Sequence, residues 1–135
     1  MTSVLFQICC DRDPDPATQR TKILEALKQG DDIHATDKNG VTALHHAVRF
    51  RNPAAVQTLI EHGANVNQAC RKSGSTPLHR AVVQTGAPGT AGKSEQAKQI
   101  IRLLLAAGAL PTARNKLGKR PCDYVTDPAL KALLR

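Results

Sequence analysis

Thr42-Ala43-Leu44-His45-His46-Ala47 and Thr76-Pro77-Leu78-His79-Arg80-Ala81 say nearly the same thing at two places in one chain of 135 residues. A second recurring stretch follows each of them. It reads Val56-Gln57-Thr58-Leu59-Ile60-Glu61-His62-Gly63-Ala64 in the first copy and Ile101-Arg102-Leu103-Leu104-Leu105-Ala106-Ala107-Gly108-Ala109 in the second. Working outward, Ile23–Gly30 stands 33 residues before Val56–Gly63, and Arg120-Pro121-Cys122-Asp123-Tyr124-Val125 is a weaker copy of the six-residue stretch. A unit this short cannot bury its apolar face alone, so copies of it must stack on one another.

Each copy carries its own instructions for a helix pair. Thr42 and Thr76 suit the residue just before a helix, where a hydroxyl accepts from an unpaired N–H of the first turn. Pro77 follows at the first helical position, where its missing N–H costs nothing. Leu44, Ala47 and Val48 share one face at helical spacing, as do Leu78, Ala81 and Val82. The small Ala47 and Ala81 let helices approach closely. Val56, Leu59 and Ile60, and likewise Ile101, Leu104 and Leu105, predict a second helix in each copy, with Gly63 and Gly108 placed where a helix end needs positive φ. Asp37–Gly40 and Asn115–Gly118 read as turns before the next pair.

These residues resemble the ankyrin repeat, whose signature is Thr-Pro-Leu-His-x-Ala at a 33-residue period. Thr76–Ala81 matches it in full, and Thr42–Ala47 departs only at Ala43. The resemblance covers roughly residues 20 to 135 and implies an all-α solenoid of stacked helix pairs joined by β-hairpin-like turns. The chain divides into an N-terminal cap repeat (1–37), a full repeat (38–70), a repeat with an inserted loop at about 86–96 (71–114) and a truncated cap repeat (115–135). The first nineteen residues fit as a divergent helix, Val4 to Cys10, and an Asp-Pro-Asp-Pro loop. Arg51 stands where the repeat usually has glycine, loop 68–75 is one residue longer than its counterparts, and Leu130, Leu133 and Leu134 form a short closing helix. The chain ends after this cap, so no attached effector domain is expected.

Composition agrees with a single aliphatic core. Phe6, Phe50 and Tyr124 are the only aromatics, so Leu, Ile, Val and Ala must fill the interior, which suits narrow stacked helices better than a sandwich of sheets. The longest apolar run, Leu103–Leu110, is too short to span a membrane. Val4–Cys10 lacks a preceding basic segment and is followed by Asp11, Asp13 and Asp15, unlike a signal peptide. With no secretion signal and no Cys-x-x-Cys, the four cysteines read as thiols in a reducing cytosol, and the protein is expected to be cytoplasmic.

Two apparent sites invite chemistry. Gly86-Ala87-Pro88-Gly89-Thr90-Ala91-Gly92-Lys93-Ser94 looks like a phosphate-binding loop, but five residues rather than four separate Gly86 from Gly92, and a helix precedes it where the motif needs a strand. Solvent-exposed insertion is the simpler account, with Ser94 capping the helix that resumes. The histidines offer no closed ligand set, since His45 and His46 are helical neighbours that point apart. In the ankyrin family the histidine of the signature, here His45 and His79, ties adjacent hairpins together. No catalytic residue, cofactor or metal site is therefore expected, and the protein is read as no enzyme.

Charge is uneven. Residues 1–40 hold five Lys or Arg against seven Asp or Glu, and the rest hold fourteen against four, for a net of +8. Arg71, Lys72, Arg114, Lys116, Lys119 and Arg120 fall on turns, where they would steer an acidic partner or simply keep the surface solvated. The resemblance implies protein recognition through turn tips and the inner helix face. Carried over by position, that surface is Lys38, Asn39, Val41, Arg49 and Phe50, then Lys72, Ser73, Ser75, Val83 and Gln84, and finally Lys116, Leu117 and Lys119. Phe50 beside Arg49 suits a binding hot spot, with packing against the next repeat as its alternative. The leading expectation is a monomeric adaptor or inhibitor that occupies a protein surface. A nucleic-acid-associated protein is the alternative, weakened by the scarcity of stacking aromatics, and a nucleotide-dependent enzyme is a distant third.

Overall fold

The computed structural model describes residues 4–9, 15–83, 94–125 and 128–134, with the side chains of 4, 83, 94–97, 129 and 130 left aside. Seven α-helices occur among them: α1 (Val4–Cys9), α2 (Pro16–Lys28), α3 (Ala43–Arg49), α4 (Pro53–Glu61), α5 (Pro77–Val83), α6 (Ser94–Ala106) and α7 (Pro128–Leu133). A 3-10 turn covers Pro121–Tyr124. There is no strand among the described residues, only one antiparallel bridge between Thr36 and Thr42. The fold is all-α.

Two rows of helices build it. α1, α3, α5 and the 3-10 turn pack in sequence as an inner row, and α2, α4 and α6 as an outer row. Within each pair the partners also touch, α1 with α2, α3 with α4 and α5 with α6. The apolar positions recognised in the repeats lie between the rows. Leu44, Ala47, Val48, Val56, Leu59, Leu78, Val82, Ile101 and Leu104 are each at most 1% exposed. The core is aliphatic, as a chain with three aromatics requires.

Helix ends repeat as faithfully as helix faces. Gly30, Gly63 and Gly108 close α2, α4 and α6 with φ of 104°, 92° and 97°. In the last two the next N–H reaches back five residues, Ala64 to the Leu59 carbonyl at 3.0 Å and Ala109 to the Leu104 carbonyl at 2.9 Å. This wraps the helix terminus and satisfies its last carbonyls. Arg51 closes α3 in the same way with φ of 56°, and Asn52 N–H bonds the Ala47 carbonyl at 3.0 Å. The arginine thus takes the left-handed conformation that glycine would hold without strain.

The first pair adds polar contacts to the apolar packing of Leu5, Phe6, Ile23 and Ala26. Asn52, 2% exposed, donates from Nδ2 to the Cys9 carbonyl at 3.0 Å, and Gln19 Nε2 to the Ile8 carbonyl at 3.1 Å. Asp15 caps α2 by accepting from Thr18 N–H at 3.1 Å. On the outer row Arg20 pairs with Glu61 at 3.0 Å.

One expected boundary is wrong. Helix α6 begins at Ser94, so residues 94–96 of the expected insertion are helical and Ser94 lies inside the helix that it was expected to cap. The remainder of that insertion, 86–93, and with it most of the phosphate-loop lookalike, lies outside the described residues.

Candidate functional site

Three turns stand along one edge of the inner row, and their backbones bond to one another. Arg71 N–H donates to the Asn39 carbonyl at 2.7 Å, and Lys116 N–H to the Ser73 carbonyl at 3.0 Å. Such approach needs glycine beneath it. A Cβ on Gly40 would lie 2.7 Å from the Arg71 nitrogen, and one on Gly74 would lie 3.0 Å from that of Lys116. Both glycines also have positive φ, 75° and 70°.

Each turn is closed from within. Asp37 Oδ1 accepts from Asn39 N–H at 2.8 Å and Val41 N–H at 3.1 Å. Asn115 Oδ1 does the same for Leu117 at 3.0 Å and Lys119 at 3.1 Å. Burial alone would raise the Asp37 carboxyl, but those two N–H donors, with His46 and Arg80 nearby, hold it below its ordinary range. The middle turn has Cys70 in that place. Its N–H reaches the Ser75 carbonyl five residues on, whereas Asp37 and Asn115 bond carbonyls four residues on, at Val41 and Lys119. This is the extra residue seen in the sequence. Burial pushes the Cys70 thiol up, yet the Ser73 hydroxyl and the N–H groups of Ser73 and Ser75 bring it down to about 7. At 3% exposure that thiol faces the turn and not the solvent.

Histidines join the turns to the inner helices. His45 Nδ1 accepts from Thr42 N–H at 3.2 Å and lies 2.8 Å from the Thr42 hydroxyl. That makes Nε2 the protonated nitrogen, and it donates to the Ser75 carbonyl of the next turn at 3.1 Å. His79 repeats the arrangement with Thr76 and, at 2.8 Å, the Lys119 carbonyl. Burial, against the opposing pull of the Ser75 carbonyl, lowers His45 to about 4, so its imidazole is neutral at physiological pH.

Most expected contact residues lie on this edge. Lys38, Lys72, Ser73, Lys116, Leu117 and Lys119 are exposed on the tips, and Leu117 at 76% is the most exposed large apolar residue described. Asn39 and Ser75 are half-buried and lend their carbonyls to the stacking. Lys116 also extends Nζ to the Arg71 carbonyl, so it bridges two turns as well as charging one. Val41 is a correction. At 5% exposure its side chain is buried under the first turn and is not offered to a partner, while its N–H and carbonyl both bond Asp37. Phe50 is half-buried at the end of α3 with the Arg49 guanidinium 5.7 Å from its ring centre. Val83 ends α5, its side chain undescribed, and Gln84 lies outside the described residues.

Sequence reasoning overlooked a column that the structure brings into view: His46, Arg80 and Tyr124. They hold the variable place in Thr-Pro-Leu-His-x-Ala, one residue beyond the buried histidine in two copies and beyond Asp123 in the third. That place was the available signal, because it is the one position that the six-residue signature leaves unspecified. His46 lies against Phe6, ring centres 5.2 Å apart, with Nε2 3.7 Å from Asp37 Oδ2. Tyr124 receives a bond from Asn115 Nδ2 at 2.8 Å and carries Lys119 Nζ 5.6 Å over its ring. Arg80 is close enough for its charge to bear on Asp37, His45 and His46. Among the described residues no three His, Cys, Asp or Glu side chains come together to hold a metal ion, and no helix is long and apolar enough to cross a membrane.

A family model of ankyrin repeats in three copies matches residues 17–115. The chain belongs to the ankyrin repeat family. Among its relatives is the human SMC5-SMC6 complex localization factor protein 1, 34% identical over 104 residues that make up 76% of this chain and 9% of that protein. Mouse Rabankyrin-5 is 33% identical over 90 residues, 67% of this chain and 8% of that protein. A putative ankyrin repeat protein of Rickettsia bellii is 36% identical over 109 residues, 79% of this chain and 29% of that protein. The ankyrin chain described here thus spans a small part of the relatives it matches. Ankyrin repeats are in general modules that bind other proteins and are not enzymes.

Proposed function

We propose that this ankyrin domain acts as an adaptor or inhibitor, a cytoplasmic monomer that holds a partner protein with an acidic surface along its turn tips and inner helix face. One observation carries the reading. The three turns are bonded into a continuous edge through Arg71 and Lys116, so exposed Lys38, Lys72, Leu117 and Lys119 are presented in fixed relation to one another. A surface ordered before contact loses little entropy on binding. The basic excess of residues 41–135 supports an acidic partner, since complementary charge speeds encounter. Nucleic acid fits less well, because Lys116, Arg114 and Arg120 each turn toward their own chain, onto Arg71, Gly118 and Asp123.

The test is affinity capture followed by binding kinetics with the captured protein. Lys38→Glu with Lys72→Glu should slow association, and the slowing should fade as salt rises. Unchanged association at low salt would place the interface away from the turn edge.

A further inference from the structure

The inner face carries positive charge beside the turns. Arg49 on α3 and Arg80 on α5 both lie near enough for their charges to act on the imidazole of His46. The carboxylate that the same imidazole faces is Asp37, and its Oδ1 already serves the two N–H groups of the first turn. Helix α1, packed on the other side of His46, offers the Phe6 ring and no charged residue. The Arg80 side chain bonds the Cys70 thiol of the middle turn, while its Nε is buried and finds no acceptor among the described residues.

His46 differs from its neighbour in what its ring does. His45 uses both nitrogens to hold the stack together. His46 Nδ1 has no partner among the described residues, and Nε2 stands 3.7 Å from Asp37, past hydrogen-bonding reach. Adding a proton to His46 therefore changes the charge of the face without breaking a bond that supports the fold. Its side chain is 16% exposed, within reach of solvent protons. Burial, with Arg80 and Arg49 beside it, keeps the imidazole below its ordinary 6.5 in spite of Asp37.

We infer that the patch formed by Arg49, His46 and Arg80 seats carboxylates of an extended acidic segment of the partner, and that His46 takes up a proton as the segment docks. This rests on the protein-binding reading and adds the chemistry of the partner and a proton-linked gain in affinity. Bringing negative charge to this patch offsets the two arginines that disfavour the imidazolium. By linkage the bound state then holds more proton than the separated one, and mild acid tightens the complex. Asp37 stays ionised throughout, because its pKa is lowered, and the glutamates of a ligand titrate only near 4.3.

The probe is a fluorescein-labelled octaglutamate peptide, with its glutamine analogue as control, followed by anisotropy at about pH 5.5 and about pH 7.5. The wild-type chain should bind the acidic peptide roughly threefold to tenfold more tightly at the lower pH, the limit for uptake of one proton being tenfold per pH unit. His46→Gln should flatten that dependence although the exposed His34 and His62 are both retained. Arg80→Gln should weaken binding about fivefold at both pH values. In the unaltered protein, NMR of the His46 ring should show its pKa rising when peptide is added, a readout that needs no variant to fold. Binding lost in Lys38→Gln with Lys72→Gln but untouched by Arg80→Gln, with no shift of His46, would overturn this inference and leave the turn-edge reading standing. Equal affinity for the glutamate and glutamine peptides would overturn both.

Discussion

Two columns of side chains run through neighbouring positions of the same helices and do opposite work. His45 and His79 are buried, at 0% and 1% exposure, and each spans from its own threonine to the next turn. One residue further on stand His46 and Arg80, with Tyr124 at the matching place of the third copy, all half-buried and different from repeat to repeat. A stack must be uniform where its units touch, since each interface asks for the same bond at the same place. Where nothing inside the molecule imposes a residue, the sequence varies, and recognition has room to act. The period of the chain therefore marks what builds the ankyrin stack, and under the proposed function the interruptions of that period mark where a partner is held.

The contrast breaks first, and hardest, in the core. Leu59→Ala and Leu104→Ala each remove a side chain with no exposure, and each should cost about 2–5 kcal/mol, the range for a cored leucine. Each repeat leans on its neighbours, so a denaturant melt should move as a whole in both variants. A melt identical to wild type would mean that the outer helices are not registered as described.

The two adjacent histidines sharpen it. His45→Ala strands Thr42 N–H and takes one of two donors from the Ser75 carbonyl, which keeps that of Cys70, and should cost about 1–3 kcal/mol. His46→Ala should cost less, since Nδ1 makes no hydrogen bond and Nε2 reaches Asp37 only at 3.7 Å, leaving chiefly the packing on Phe6 to be lost. Acid should reveal the same difference. A folded pKa of about 4 against an ordinary 6.5 means that the unfolded chain binds the His45 proton more readily. Stability from this residue is complete above about pH 6.5 and is lost as the pH falls toward 4, roughly 3 kcal/mol in all. Urea midpoints across that window should fall in wild type and fall less in His45→Gln.

At the binding surface the expected effect is smaller. Phe50 is half-buried beneath Arg49 and not a bare aromatic, so Phe50→Ala should weaken a captured complex by about 1–3 kcal/mol while circular dichroism stays that of a folded helical protein. The least effect belongs to Arg51. Its φ of 56° is strained for a residue with a Cβ, and Arg51→Gly should stabilise the chain by about 0.5–1 kcal/mol after glycine's greater freedom in the unfolded state is subtracted. Destabilisation in a thermal melt would show that the Arg51 side chain, and not its backbone, matters at that turn.

How much of this was legible in the residues follows from the same division. Helix pairs, positive-φ glycines at 63 and 108, the odd arginine at 51 and the long middle turn are all local in origin, and periodic sequence displays them. Val41 was misplaced because position within a repeat tells which turn a residue joins, not which way its side chain leaves that turn. Lys116 read as a surface charge, while its bond to the Arg71 carbonyl depends on how two turns approach, which no single repeat encodes. Residues 94–96 read as loop because an insertion breaks the period, yet an inserted segment can lengthen a helix as readily as a loop. His46 and Arg80 were passed over for their neighbours, since a search for repeated residues discards the places that vary.

Hydrogen exchange on the ankyrin chain, alone and saturated with a captured partner protein, tests the central claim most directly. Amides that stack the turns report on the edge, and those of α2, α4 and α6 report on the back of the molecule. The account predicts slowed exchange at 37–41, 70–75 and 115–119 and along α3 and α5, with the outer helices unchanged. Protection confined to α2, α4 or α6 would contradict it, and would place recognition on the face that the repeat pattern leaves uniform.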